Sequence, residues 1–156
     1  MDQTVRETLM SFLAQYNTLA IATEHEGQPY VTRAFFVEQL VQDTALTLYG
    51  TFITTSRKLA NLQRNPRVGL FIGPDQPSAW LEATAIAHVL TDEKRSQEVR
   101  EQLGQKSSVA AAFIARVPIV AVELQVNWLR ITNVAANPMQ TEVTFAINLM
   151  GDRVNS

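Results

Sequence analysis

The sequence predicts a mainly β domain with flanking helices, its antiparallel strands closed or nearly closed into a small barrel. Three observations lead there. Four strand-like segments follow one another between Thr18 and Gly73, joined by links too short for repeated crossover helices, which argues against a doubly wound parallel sheet. Several segments carry apolar residues on both faces; Phe35 and Phe36 are neighbours in one of them, so both faces of that strand need cover. The run IVAVELQVNWLRI (119–131) alternates, with Val120, Val122, Leu124, Val126 and Trp128 on one face and Glu123, Gln125 and Asn127 on the other. About six strands with short helices between them suit a barrel better than an open sheet.

The elements follow in order. Val5, Leu9, Phe12, Leu13 and Tyr16 recur at helical spacing, and Thr4 with Glu7 offers a capping box, so a first helix is expected over 4–16. TLAIATE (18–24) and YVTRAFFVEQ (30–39) read as a hairpin around His25-Glu26-Gly27-Gln28-Pro29. LTLYG (46–50) is a third strand, and a short helix over about 56–63 buries Leu59 and Leu62, leaving Arg57, Asn61 and Arg64 opposite Leu59. Asn65-Pro66 stops it, RVGLFIG (67–73) is a fourth strand, and AWLEATAIAHV (79–89) a fifth. The fifth sets Ala83, Ala85 and Ala87 on one face, a stripe that implies close approach by a helix, another sheet or a second subunit. Thr91-Asp92-Glu93 opens a polar helix ending near Gly104, and Ser107-Ser108 opens a more apolar one that stops before Pro118. After the strand at 119–131, the tail from Thr132 to Ser156 is ambiguous, with one strand drawn over TEVTFAINLM (141–150).

At 156 residues one domain is expected, spanning 1–156 with the barrel over about 18–131. Hydrophobic residues are 46% and charged residues 18%, which fits a compact chain and argues against disorder. A net charge of −2 gives no electrostatic reason to expect nucleic acid. There is no cysteine, so disulfides, thiolate metal sites and cysteine nucleophiles are excluded. With only two histidines, His25 in a turn and His88 on a strand, no metal site is expected. No signal-like or membrane-length apolar run occurs, and a soluble cytoplasmic protein with no membrane partner is the expectation.

The chemistry concentrates in Tyr49–Arg67, inside a run from Thr44 to Pro74 that contains no Asp or Glu. Thr54, Thr55 and Ser56 precede a helix whose first turn carries Arg57 and Lys58, so hydroxyls, free N–H groups and cations converge at one helix N-terminus. Cations there oppose the helix dipole, and an anion lodged between them and the amides makes the arrangement favourable. The competing reading is a solvated helix face. Arg33, between apolar neighbours on a strand, also calls for an anion, whether a ligand or a carboxylate such as Glu38 or Glu82.

In this order the segments resemble the FMN-binding split β-barrel family typified by pyridoxamine 5′-phosphate oxidase. The match covers 18–131, and Ser56-Arg57-Lys58 followed by Asn65-Pro66-Arg67-Val68 is similar to that family's S-R-K…N-P-R-V segment. The resemblance implies a six-stranded antiparallel split barrel. It also implies that Arg33, Ser56, Arg57 and Lys58 surround the FMN phosphate and ribityl chain. Ala34, Phe35, Phe36, Tyr49, Gly50 and Thr51 would then line the flavin ring, with Trp80 approaching it where the oxidase has glutamine. The link from Tyr49 to Ser56 is longer than in the oxidase, so the choice among Thr51, Thr54 and Thr55 stays open. Glu38 stands where the oxidase has a lysine for its substrate's phosphate, and no arginine-rich C-terminal segment follows, so a small relative and not the oxidase itself is expected.

An FMN-dependent oxidoreductase of unknown substrate is thus the leading expectation, with the flavin carrying the electrons and no side chain assigned as catalyst. Its small-molecule partners would include a donor such as NAD(P)H. The alternative is a non-catalytic binder of flavin, deazaflavin or haem on the same barrel. A homodimer is expected from the two-sided apolar strands and the alanine stripe, and the resemblance implies paired barrels with FMN at the subunit boundary.

Overall fold

The computed structural model describes residues 1–147, and the last part of the strand drawn over 141–150 falls outside them. Helix α1 (Gln3–Ala14) leads into β1 (Thr18–His25), β2 (Gln28–Val41), β3 (Ala45–Ile53), α2 (Arg57–Arg64), β4 (Arg67–Ile72) and β5 (Ala79–Val89). Then come α3 (Glu93–Lys106), α4 (Ser108–Arg116), β6 (Ile119–Asn133) and β7 (Gln140–Thr144). Every pairing is antiparallel, in the order β3-β2-β1-β4-β5-β6-β7, and β3 also pairs with β6. Six strands therefore close a ring. The seventh, β7, overlaps the start of the strand drawn over 141–150 and is added outside the ring on the second half of β6.

Local chemistry sets the joints. The β1–β2 connection is a two-residue turn at Glu26-Gly27, both with positive φ (51° and 80°), and the ladder runs up to His25↔Gln28. Such turns match the right-handed twist of the strands they join. The expected five-residue turn is thus shorter, with Pro29 inside β2. The cap of α1 also differs from expectation: Asp2, not Thr4, is the N-cap, its carboxylate accepting from the Val5 N–H at 3.0 Å.

The core lies within the ring. Leu19, Ile21, Phe36, Leu48, Phe52, Leu70, Leu81 and Leu124 point inward, joined by Leu9 and Leu13 of α1 and by Leu59 and Leu62 of α2. Phe36 is buried inside while Phe35 faces outward onto Phe113 of α4, their rings 5.7 Å apart, so both faces of β2 are covered as expected. Ala83, Ala85 and Ala87 are buried in this core. What approaches the alanine stripe is therefore the barrel's own interior, and the stripe is no longer an argument for a second subunit.

Two readings of faces are corrected. The alternation of β6 breaks at Asn127, where a bulge lets Ala85 pair with Val126 and Thr84 with Trp128. One extra residue reverses the faces beyond it, so Leu129 and Ile131 point inward and Trp128 turns out. Asn127 carries the irregularity by accepting from the Thr84 hydroxyl and the Phe145 N–H, and beyond it β6 exchanges β3 for β7 as its neighbour. On α2, Asn61 is buried rather than solvated, because the helix lies against β1 and its amide donates to the Thr23 hydroxyl at 3.1 Å.

Candidate functional site

The barrel is split between β2 and β3. These strands pair from Val41↔Ala45 to Phe36↔Gly50 and then part, β3 continuing along β6 while β2 continues along β1. Residues 30–35 of β2 thus have no strand neighbour on that side, and the chain leaving β3 returns as α2. Gly50 marks the parting: a Cβ there would lie 3.0 Å from the Phe35 carbonyl oxygen, so the last paired residues approach more closely than a side chain allows.

Lys58 bridges the gap. Its ammonium donates to the Arg33 carbonyl at 3.0 Å, capping a backbone group that β3 no longer reaches, and stands 5.0 Å from the centre of the Phe52 ring. Burial against these groups pushes its pKa below the ordinary lysine value. Ser56 is the N-cap of α2, its hydroxyl accepting from the Leu59 N–H, while the amides of Arg57 and Lys58 have no acceptor among the described residues. The Arg57 guanidinium is exposed and lies 4.8 Å over the Tyr30 ring. No carboxylate among the described residues pairs with Arg33, Arg57 or Lys58.

Two cavities follow the free edge of β2 and meet at Thr32 and Lys58. The first, of about 370 Å³, is lined by Thr18, Thr32, Arg33, Ala34, Phe35, Thr51, Ile53, Lys58 and Phe113. The second, of about 320 Å³, is lined by Tyr30, Val31, Thr32, Ser56, Arg57 and Lys58. Each falls within the roughly 300–1,000 Å³ usual for small-molecule sites. Thr51 is 3% exposed and its hydroxyl has no partner, an orphaned buried polar group facing the first cavity. Thr54 and Thr55 are exposed in the turn after β3.

The slot therefore gathers Arg33, Ala34, Phe35, Thr51, Ser56, Arg57 and Lys58. It does not gather Phe36, whose side chain is in the core, or Tyr49, which lies beneath α3 with the Arg95 guanidinium 4.4 Å over its ring. Trp80, half-buried on β5, is separated from β2 by β1 and β4. Arg33 is exposed, not buried, because odd-numbered residues of this half of β2 face outward, so no buried guanidinium demands a counter-charge. Neither suggested carboxylate serves it: Glu38 pairs with Lys106 beneath α3, and Glu82 with Arg130 at 3.2 Å. Glu38 thus presents a neutralised ion pair rather than a free negative charge. His25 lies against Arg64, 3.0 Å from its guanidinium, and His88 is exposed.

Sequence reasoning missed Thr18, Tyr30, Val31, Thr32, Ile53 and Phe113. No motif marks them; only the parting of β2 from β3 and the packing of α4 on Phe35 bring them together.

A ring of six strands, opened between two of them and flanked there by a cationic helix N-terminus, is the architecture of a split β-barrel. Residues 5–146 match the family model for pyridoxamine 5′-phosphate oxidase, and the chain belongs to that family. Among solved structures it is similar to Campylobacter jejuni ChuZ, with TM-score 0.74 and 16% identity over 92% of this chain and 61% of that one. The present chain thus spans about three fifths of that relative. It is also similar to HutZ, a haem-storage protein of Vibrio cholerae, with TM-score 0.64 and 21% identity over 77% of this chain and 88% of that one. A third is an FAD-binding protein of Mesorhizobium loti, with TM-score 0.61 and 17% identity over 81% of this chain and 90% of that one. At these identities the likeness establishes the fold. A comparison with curated proteins gives no match. No helix among the described residues is long and apolar enough to cross a membrane.

Proposed function

We propose that the chain binds FMN in the slot between β2 and β3 and works as an FMN-dependent oxidoreductase on a small-molecule substrate, with NAD(P)H as donor. One observation carries the reading: cations without carboxylate partners, an unsatisfied buried hydroxyl and an apolar wall converge on a single slot. Lys58, the free amides at the start of α2 and the Ser56 hydroxyl suit a phosphate, which favours the negative charge a helix N-terminus attracts. Phe35, Phe113 and Ile53 offer an apolar surface to a ring system, and Thr51 offers a hydrogen bond to its polar edge. Bound there, FMN supplies hydride or electron transfer, while the chain orients it and limits water access from the α4 side.

Haem is the second reading, favoured by the likeness to a haem-storage protein. It needs an axial ligand; among the described residues lining the slot there is no histidine, and Tyr30 is a side chain of a type that ligates haem iron. A deazaflavin would use the same phosphate seat.

The assembly in this reading is a homodimer. The outer face of β1 and β4 presents Ala20, Ala22, Gly69 and a 43% exposed Phe71, an apolar strip between Arg33 on β2 and Glu82 on β5.

The test is the visible spectrum of purified protein, then of apoprotein given FMN or haemin. Flavin absorption bleached by NADH or NADPH is expected. A Soret band with no flavin uptake would replace this reading with haem binding, and flavin uptake without bleaching would retain the binder and remove the NAD(P)H-driven enzyme.

A further inference from the structure

Across the outer face of the sheet, the registers place Arg33 of β2, Ala20 of β1, Phe71 of β4 and Glu82 of β5 side by side in one row. Neighbouring strands lie about 4.8 Å apart, so the two charges stand roughly 14 Å from each other with the apolar pair between them. The next row runs Val31, Ala22, Gly69 and Thr84 across the same strands. Val31 is 73% exposed and Phe71 43%, so this face is open in the single chain.

The order of the first row is its own complement. A copy given half a turn about an axis in the interface, parallel to the strands and over the line between β1 and β4, exchanges the ends of the row and its middle positions. Arg33 then faces the partner's Glu82 and Phe71 faces the partner's Ala20, each contact occurring twice, as an isologous interface requires. A bulky side chain thus meets a small one. In the next row Ala22 faces the partner's Gly69, a position where an added Cβ would have only Ala22 within 4 Å. An axis laid along the row instead sets Arg33 on the partner's Arg33 and Glu82 on the partner's Glu82, and like charges in apposition oppose it. The strand-parallel axis also keeps the strands of the two sheets nearly aligned, a standard packing of sheet on sheet.

Both charges have capacity for this contact. Arg33 has no carboxylate partner among the described residues, and the Glu82 carboxylate accepts from Arg130 at 3.2 Å through Oε1 alone. A carboxylate has two oxygens, so Oε2 is left for a second guanidinium. Arg33 also lines the upper cavity, which puts its partner at the rim of the slot.

We infer that a second copy of this chain docks on the outer face of β2, β1, β4 and β5 in the orientation that sets Arg33 against the partner's Glu82, bringing a carboxylate of the other subunit to the rim of each slot. The inference rests on the homodimer of the proposed function and adds its axis and its ion pairs. It does not depend on which cofactor the slot holds.

Sedimentation equilibrium of the full chain and its charge variants, at low salt, tests it. Arg33→Glu and Glu82→Arg each set like charges opposite one another twice per dimer, and each is expected to weaken dimerisation about tenfold or more. The double variant restores both pairs with the charges exchanged and is expected to return to within about threefold of the parent. Loss of the Arg130 contact does not account for such a rescue, because Glu82→Arg removes that contact in the single and the double variant alike. Should a reversed chain fold poorly, Arg33→Gln and Glu82→Gln repeat the test as a cycle: the double substitution is expected to cost no more than the larger single one, and independent losses that multiply overturn the pairing. A parent dimer that neither reversal weakens, or that the double reversal does not restore, overturns this orientation and leaves the homodimer standing. A parent that stays monomeric at micromolar concentration overturns the orientation and the homodimer together.

Discussion

Removing the Lys58 ammonium tests the phosphate seat most directly. Lys58 has three donors and uses one on the Arg33 carbonyl at 3.0 Å, which leaves two for a phosphate at the start of α2. A charge-assisted hydrogen bond contributes about 1.5–3 kcal/mol, so Lys58→Ala should weaken FMN about tenfold to a hundredfold. Arg57 is exposed and held over Tyr30, where solvent screens it, so Arg57→Ala should cost about twofold to fivefold. The Arg33 carbonyl freed by Lys58→Ala sits at an open edge that water reaches, and folding stability should change by less than about 1 kcal/mol. Riboflavin, which lacks the phosphate, should bind weakly to the parent and be indifferent to either substitution. Calorimetric titration of FMN and riboflavin into parent and variant apoproteins checks all of this. Equal affinity for the two flavins, unmoved by Lys58→Ala, would refute the seat and return Arg57 and Lys58 to a solvated helix face.

Lys58 also imposes a pH dependence. Its folded pKa is lowered, so between that value and the ordinary lysine value the unfolded chain holds a proton that the native chain lacks, and stability from this group rises with pH across that window. FMN affinity should move oppositely, falling as pH climbs through the same window, and Lys58→Arg should abolish the fall; a flat parent profile would remove Lys58 from the phosphate. Thr51→Val removes an unsatisfied buried hydroxyl, so apoprotein should gain up to about 1 kcal/mol by chemical denaturation while flavin binds about tenfold more weakly. Unchanged flavin affinity in that variant would show that the hydroxyl meets no ligand. Light scattering at micromolar concentration should give twice the 17.4 kDa chain mass for the parent and a single chain for Phe71→Glu; a monomeric parent with flavin bound would remove the dimer.

The sequence by itself determined the elements and their chemistry. Alternation located the strands, Ser56 before an apolar-faced helix located the α2 cap, and the absence of acidic residues from Thr44 to Pro74 marked the cationic first turn of α2. These are local properties, written in spacing and residue type within a turn or a strand. Faces were less legible. Asn61 reads as solvated at 100° per residue, yet it is buried because of what α2 lies against, and Trp128 turns outward because one bulge residue at Asn127 reverses the count. Only the tertiary structure decided where the slot is. It exists because β2 and β3 part beyond Phe36↔Gly50, β3 staying on β6 and β2 on β1, a choice between distant strands that no short window contains. That departure opens the edge of β2, brings Thr51, Phe113 and Lys58 to it, and leaves Phe36 in the core and Tyr49 beneath α3. Spacing along the chain specifies which side chains share a face; the closure of the ring decides which faces meet.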